Sequence, residues 1–245
     1  MSDMPPVVYA VARGWDGWRV FLQDADAMVY PYPRIVEVLT HLREKLPEVE
    51  RVGAYATPRD LLRRSVGELK TLRDQGLGII YLGVETGDPG LLERIGKRVN
   101  YDQMAEAGRR AEEAGITLSV TVILGLGGAE GSERHARETA RLLSDIDPEY
   151  AGALTLTLVP GTPLYEEAEN GAFHPISPFQ SLLELKVLVE QASFTNCFFS
   201  SMHASNYYSV RGTLPWDRDK MLAELEQVLA RRDPAMLRPE HLRGL

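Results

Sequence analysis

An α/β fold, a partial and open parallel βα barrel, is what this 245-residue sequence predicts, and three observations carry the prediction. Short apolar runs suited to buried strands begin near residues 18, 51, 79, 117 and 152, at intervals of 33, 28, 38 and 35 residues, the length of a strand plus its crossover helix. Stretches of helical periodicity lie between them, several closed by glycine. A closed eight-stranded barrel takes about 250 residues, whereas five or six strands are visible here, so the barrel is expected to be open. Five alternating units also suit a doubly wound sheet, and spacing alone does not separate the two.

The elements follow in order. Trp18-Arg19-Val20-Phe21-Leu22 is the first strand, and Ile35, Val38, Leu39, Leu42 and Leu46 mark its helix. Val52 to Ala56 is the second strand, and the helix after it opens at Ser65, where Glu68 three residues on completes a capping box. Gly76 stops that helix. Ile79 to Val84 is the third strand, followed by Asp88-Pro89, the N-cap and first-turn chemistry for a helix over Leu91, Leu92 and Ile95 that Gly96 closes. A helix from Asn100 to Ala114 ends at Gly115 and leads into the fourth strand, Ile116 to Ile123. Helical spacing returns over Ser132–Leu143, and Leu154 to Val159 is the fifth strand, stopping at Pro160-Gly161. Beyond Pro163 the pattern loosens to a helix over Leu182–Val189, a sixth strand over Phe194–Phe199 and an amphipathic helix through Met221, Leu225 and Val228. The expected organisation is a barrel core over 1–165 and a C-terminal extension over 166–245 that closes its side.

Composition narrows the function. Lys and Arg number 27 and Asp and Glu 35, a net charge of −8 that argues against a general nucleic-acid-binding surface. No N-terminal signal and no apolar run long enough for a membrane span is apparent, and a single cysteine, Cys197, forms no internal disulfide, so a cytoplasmic protein is expected. Cys197 lies among Phe194, Phe198 and Phe199, the surroundings of a buried, inert thiol. The five histidines lack zinc-site spacing; His135 is expected on a helix surface, and the arginines near the C-terminus, Arg238 and Arg243 among them, on a solvated face.

In either architecture ligands bind at the carboxyl ends of the strands. Those positions hold Gln23-Asp24-Ala25-Asp26, Tyr55-Ala56-Thr57-Pro58, Gly83-Val84-Glu85-Thr86-Gly87, Gly125-Leu126-Gly127-Gly128 and Pro160-Gly161-Thr162. Carboxylates there suit an ammonium group or ribose hydroxyls, and glycines let a flat group approach the main chain. Singly, each has a plainer role: Asp24 and Asp26 satisfying a turn, Glu85 pairing with an arginine, the glycines adopting positive φ. Recurring at successive strand ends, they favour a ligand rim; Ser119 and Thr121, alternating with apolar residues, either face the interior or simply pack as small and β-branched residues.

Phe21 to Asp26, Tyr81 to Gly87 and Val122 to Gly128, in that order, resemble a radical S-adenosylmethionine (SAM) domain, of the branch with Elongator-type, methylthiotransferase-like and oxygen-independent coproporphyrinogen-oxidase-like proteins. Ile95-Gly96-Lys97-Arg98 and Val159 to Tyr165 resemble that branch too. The resemblance implies that Asp24 and Asp26 hold the methionine ammonium of SAM, that Glu85 and Thr86 lie on the ribose side, and that Gly125 lies against the adenine. By the same resemblance Tyr55 and Thr57 present polar groups to cofactor or substrate. It further implies a [4Fe–4S] cluster on a Cys-x-x-x-Cys-x-x-Cys loop after a preceding strand, and a flavodoxin- or ferredoxin-type electron donor. That loop is absent from the sequence. The expectation is a radical SAM protein that abstracts hydrogen from an unidentified substrate, represented here by a chain truncated before its cluster loop. The alternatives are a SAM-binding or scaffold pseudoenzyme and a barrel lyase or hydrolase using Asp24, Asp26 and Glu85 on a divalent metal.

Overall fold

A computed structural model describes residues 18–23 and 26–244. Its seven strands, β1 Arg19–Leu22, β2 Arg51–Ala56, β3 Leu77–Glu85, β4 Thr117–Leu124, β5 Tyr150–Thr155, β6 Cys197–Ser200 and β7 Arg211–Leu214, form one sheet in sequential order. β1 to β6 are parallel and β7 is antiparallel to β6. A doubly wound sheet reverses its strand order at a switch point; this order runs in one direction from β1 to β7, and the two edges do not pair. The sheet is therefore an open barrel segment, which removes the doubly wound alternative.

The helices are α1 Tyr32–Lys45, α2 Pro58–Leu62, α3 Val66–Asp74, α4 Pro89–Arg94, α5 Tyr101–Glu113, α6 Gly128–Ile146, α7 Pro163–Glu169, α8 Pro178–Gln191 and α9 Arg218–Arg231. Ser65 and Glu68 cap α3 reciprocally, Asp88 accepts from the first turn of α4, and Asn100 and Gln103 cap α5, as their sequence patterns require. Side chains alternate across each strand. One face, with Ala54, Leu82, Val84, Leu118, Val120, Val122, Ala151 and Ala153, is buried in the main core together with apolar residues of the helices. The opposite face carries Phe21, Tyr55, Tyr81, Ser119, Thr121 and Gly152, all partly or fully accessible. Ser119 and Thr121 thus lie on the open face, the first of the two places their alternation allows.

Several boundaries differ from the sequence reading. β5 starts at Tyr150 and ends at Thr155, because β4 ends at Leu124 and leaves residues beyond Leu156 no ladder to join. Its buried positions are Ala151, Ala153 and Thr155, whose small side chains give a weak apolar signal. α2, α7 and the four-residue β7 were too short to show a period. The sheet runs without a break from β5 to β6, across the expected division near residue 165.

Candidate functional site

The carboxyl ends of β1, β2 and β3 enclose a cleft of about 420 Å³ lined by Asp26, Thr57, Arg59, Asp60, Arg63 and Lys97, among others. Thr57 caps α2: Asp60 accepts from the Thr57 backbone N–H at 2.9 Å and from its hydroxyl, and pairs with Arg63 at 2.8 Å. Burial opposes ionisation of Asp60, but the Thr57 hydroxyl and backbone, the Asp26 hydrogen bond and the Arg63 charge outweigh it and hold its pKa low. Asp26 is the other half of the pair. Burial first, then the hydrogen bond and charge of Asp60, push its pKa up to about 6, so below about pH 6 the pair holds a proton on Asp26 and above it both carboxyls are ionised. Its Oδ1 is shielded from solvent and has no hydrogen-bond partner among the described residues. The loop bearing Asp26 is fixed from behind by Arg64, which donates to the carbonyls of Met28 at 2.7 Å and Tyr30 at 2.9 Å.

At the end of β3 a bulge places Glu85 at φ 64°, an uncommon conformation for a residue with a side chain. The carboxylate folds back over Gly83 and meets Lys97 at 3.0 Å, and Lys97 also donates to the Gly83 carbonyl at 2.7 Å. The partner is therefore a lysine of the cleft wall, where the sequence reading offered an arginine. Gly87 is dictated by packing: a Cβ there would stand 2.1 Å from the Glu138 carbonyl oxygen on α6.

Thr86 is fully buried and its side chain points away from the rim to His135 on α6. His135 Nε2 lies 3.0 Å from the Ile123 carbonyl, which only accepts, so Nε2 carries the proton and Nδ1 accepts from the Thr86 hydroxyl at 2.9 Å. Burial lowers the pKa of this imidazole and keeps it neutral. The expectation of an exposed His135 is overturned: it is 2% exposed and clamps the ends of β3 and β4 together. The polar residues Ser132, His135 and Thr139 share the sheet-facing side of α6 with Ala136, Ala140 and Leu143, which masked the direction of that face.

Gly125, just past β4, has φ 83°, and a Cβ there would stand 2.8 Å from Ile176. Its N–H donates at 2.7 Å to Glu184 of α8, whose other oxygen accepts from Ser132 at 2.6 Å. Glu184 is 1% exposed, and burial pushes its pKa up to about 7 against the pull of the Ser132 and Gly125 hydrogen bonds. Gly125 lines a second cleft, of about 310 Å³, with Thr155 to Leu158 on β5 and its extension, and Tyr207, Glu240 and Arg243 from the C-terminal region. Arg243 is correspondingly not on a solvated face: its side chain is 6% exposed, and Arg238 donates to the carbonyls of His203 and Ala204.

Of the residues nominated from sequence, Asp26 and Thr57 share the first cleft, Glu85 adjoins it through Lys97, and Gly125 lines the second. Tyr55 is 45% exposed on the open face, edge to face with Phe21 and Tyr81 at 4.9 and 5.9 Å between centroids. Asp24 lies outside the described residues. Cys197 is fully buried on the helix-packed side of β6, its thiol pushed to about 12 chiefly by burial. Among the described residues no group of three His, Cys, Asp or Glu side chains is placed to hold a metal ion. A larger depression, about 880 Å³, lies elsewhere, along α1 beside β1. Its wall is mostly apolar, with Tyr30, Ile35 and Val38; Gln23 of the rim lines it, whereas Asp26, Tyr55, Thr57, Glu85, Thr86 and Gly125 do not.

A rim of this kind on an open, sequentially ordered parallel sheet defines a class. The radical SAM superfamily model matches residues 10–143, more than half of the chain, and the chain belongs to that superfamily. Heme chaperone HemW of Bacillus subtilis is 23% identical over an alignment of 189 residues that covers 72% of this chain and 48% of that protein. An uncharacterized methyltransferase of Pyrococcus horikoshii is 30% identical over 99 residues, 40% of this chain and 21% of that one. The chain thus spans less than half the length of either relative. Among solved structures, Elp3 of Methanocaldococcus infernus superposes with a TM-score of 0.59 at 12% identity, covering 92% of this chain and 57% of its own. HemN, the coproporphyrinogen III oxidase of Escherichia coli and a radical SAM enzyme, gives 0.53 at 16% identity, covering 69% and 38%. At these identities the structures speak to the fold. No helix among the described residues is long and apolar enough to cross a membrane.

Proposed function

We propose that this chain binds S-adenosylmethionine along its strand-end rim, the methionine end in the cleft at Asp26 and the adenosine end in the cleft at Gly125. The observation that carries the reading is Asp26 Oδ1, an acceptor shielded from water and without a donor among the described residues, in a cleft at the strand ends of a radical SAM chain. A buried acceptor left unmatched is costly, and an ammonium group supplies both the missing donor and a positive charge beside the Asp26 and Asp60 carboxylates. Glu85 serves the ribose side while Lys97 holds it, and Thr86 acts from behind through His135. Tyr55 and Thr57 present polar groups to cofactor or substrate.

A [4Fe–4S] cluster on three thiolates does not fit these 245 residues. Cys197 is the single cysteine, buried and strongly disfavoured as thiolate. Hydrogen abstraction, and the electron donor it needs, therefore require thiolates from outside these residues, whereas SAM binding does not. The lone cysteine also supports a second reading, SAM binding without turnover.

Calorimetric titration with SAM tests the proposal. Saturable binding is expected, weakened about tenfold or more in Asp26→Asn, the loss of one charge-assisted hydrogen bond. Absence of saturable binding, or equal affinity in the variant, overturns it. Anaerobic reconstitution with iron and sulfide is expected to give no stable four-iron cluster on this chain.

A further inference from the structure

Residues 233–244 cross the end of β5 as two short 3₁₀ turns, Pro234–Met236 and Glu240–Leu242, joined by extended backbone. Within this segment Leu237 is the one buried residue, and Leu242 is largely exposed. Apolar attachment is confined to Leu237, which joins the core, and the partly buried Met236; the stretch beyond them is held by polar contacts of Arg238 and Arg243. Arg243 donates to the carbonyls of Ser205 at 2.6 Å and Leu156 at 2.9 Å, to the Tyr207 hydroxyl at 2.6 Å and to Glu240 at 2.6 Å, and its guanidinium lies 4.2 Å from the centroid of the Tyr207 ring. Tyr207 in turn donates to the second oxygen of Glu240 at 2.6 Å.

This latch is also a wall. Tyr207, Glu240 and Arg243 line the cleft that has Gly125 and Thr155 to Leu158 on its other side. Leu156, whose carbonyl Arg243 holds, still bonds through its own N–H to Leu124 at the end of β4. Arg243 thus ties the segment to the same strand ends that shape the cleft floor. A segment with few buried apolar contacts and a concentrated polar attachment belongs to the low-stability end of a fold, where binding elements that open are found.

We propose that residues 233–244 form a strap that closes the cleft beside Gly125, with Arg243 the positioning residue that latches it and so sets how tightly the cleft retains a ligand. The strap follows from the contacts alone; the identity of the ligand as the adenosine end of SAM rests on the reading above. Opening requires the Arg243 contacts to Leu156 and Ser205 and the Arg238 contacts to His203, Ala204 and Tyr207 to break together while the sheet stays intact. Closing removes one open side of a cleft whose volume is near the lower bound of about 300 Å³ for small-molecule sites.

The buried, inert Cys197 makes the test direct, because a thiol placed in the cleft is the single reactive one. In Leu158→Cys, alkylation by iodoacetamide is expected to be slow, and at least tenfold faster when Arg243→Ala is added or the chain is ended after Asp233. Arg243→Lys, which keeps the charge but not the forked donors, is expected to label at close to the Ala rate. SAM is expected to slow labelling of the latched protein and to bind at least tenfold more weakly to the Arg243→Ala variant. Far-UV circular dichroism and urea denaturation establish that each variant is folded. Equal labelling rates in latched and unlatched proteins overturn the strap. Faster labelling on unlatching with no effect of SAM on either protein leaves the strap standing and overturns the SAM reading. Protection by SAM with identical rates and affinities in all variants does the reverse.

Discussion

Glu184→Gln isolates one buried charge, and its effect is calculable. The Glu184 carboxyl is 1% exposed and its pKa stands at about 7, against 4.5 in the open chain, chiefly because burial disfavours the ion. The folded state therefore holds a proton that the unfolded state has released. Stability falls as pH rises through that window, with the favourable contribution complete below 4.5 and lost above 7. At about 1.4 kcal/mol per pH unit the loss amounts to about 3 kcal/mol by pH 8. Glutamine keeps the shape, accepts from the Gly125 N–H and donates to the Ser132 oxygen, and does not titrate. Urea denaturation of both proteins from pH 4.5 to 8, followed by far-UV circular dichroism, is expected to show the variant gaining about 3 kcal/mol on the wild type. At the thermal midpoint that is roughly 6–12 °C for a chain of this size. His135, 3.8 Å from Glu184, has a depressed pKa and destabilises the fold as pH falls below 6.5, the opposite sign; Asp26 titrates with the sign of Glu184. Both are present in the two proteins and cancel in the difference. A difference that stays constant across this range refutes the assignment of Glu184 as a charge buried at neutral pH.

Two further outcomes follow from the same framework. His135→Ala strips partners from the Thr86 hydroxyl and the Ile123 carbonyl and opens a cavity between α6 and the sheet, so a loss of about 2–4 kcal/mol in urea denaturation is expected; a change under 1 kcal/mol would mean that the clamp is not what holds the two strand ends. Gly87→Ala drives a Cβ into the Glu138 carbonyl, a backbone atom that moves only with α6, and is expected to cost at least about 2 kcal/mol in the same assay.

What the sequence revealed and what it hid divide along physical lines. The caps at Ser65 and Asp88 depend on residues two or three positions apart, so they are written locally and the structure contains them. The long strands β3 and β4 carry continuous or alternating apolar signals and were placed within two residues. Short elements such as α2 and β7 never complete a period. The candidate site shows the same split: Asp26, Glu85 and Gly125 stood out because they follow recognisable strands. Asp60 was open to discovery as the partner of Thr57 in a capping pattern, and Glu184 as a lone acid in the apolar stretch Ser181–Val189. The Arg243 contact to Leu156 spans 87 residues and leaves no local trace.

The distribution of these residues separates binding from chemistry. Asp26, Glu85 and Gly125 stand at the rim, but their positions are set from the helix-packed side by Arg64, His135 and Glu184. Those three groups are almost fully buried, and each bonds main chain, His135 and Glu184 at the end of β4 and Arg64 in the turn that follows β1. Rim geometry is therefore a property of the folded core and persists whether or not thiolates are supplied to the chain. SAM affinity tests the first and hydrogen abstraction tests the second. A variant such as His135→Ala is expected to change affinity through the placement of Thr86 and Glu85, although its ring touches neither cleft.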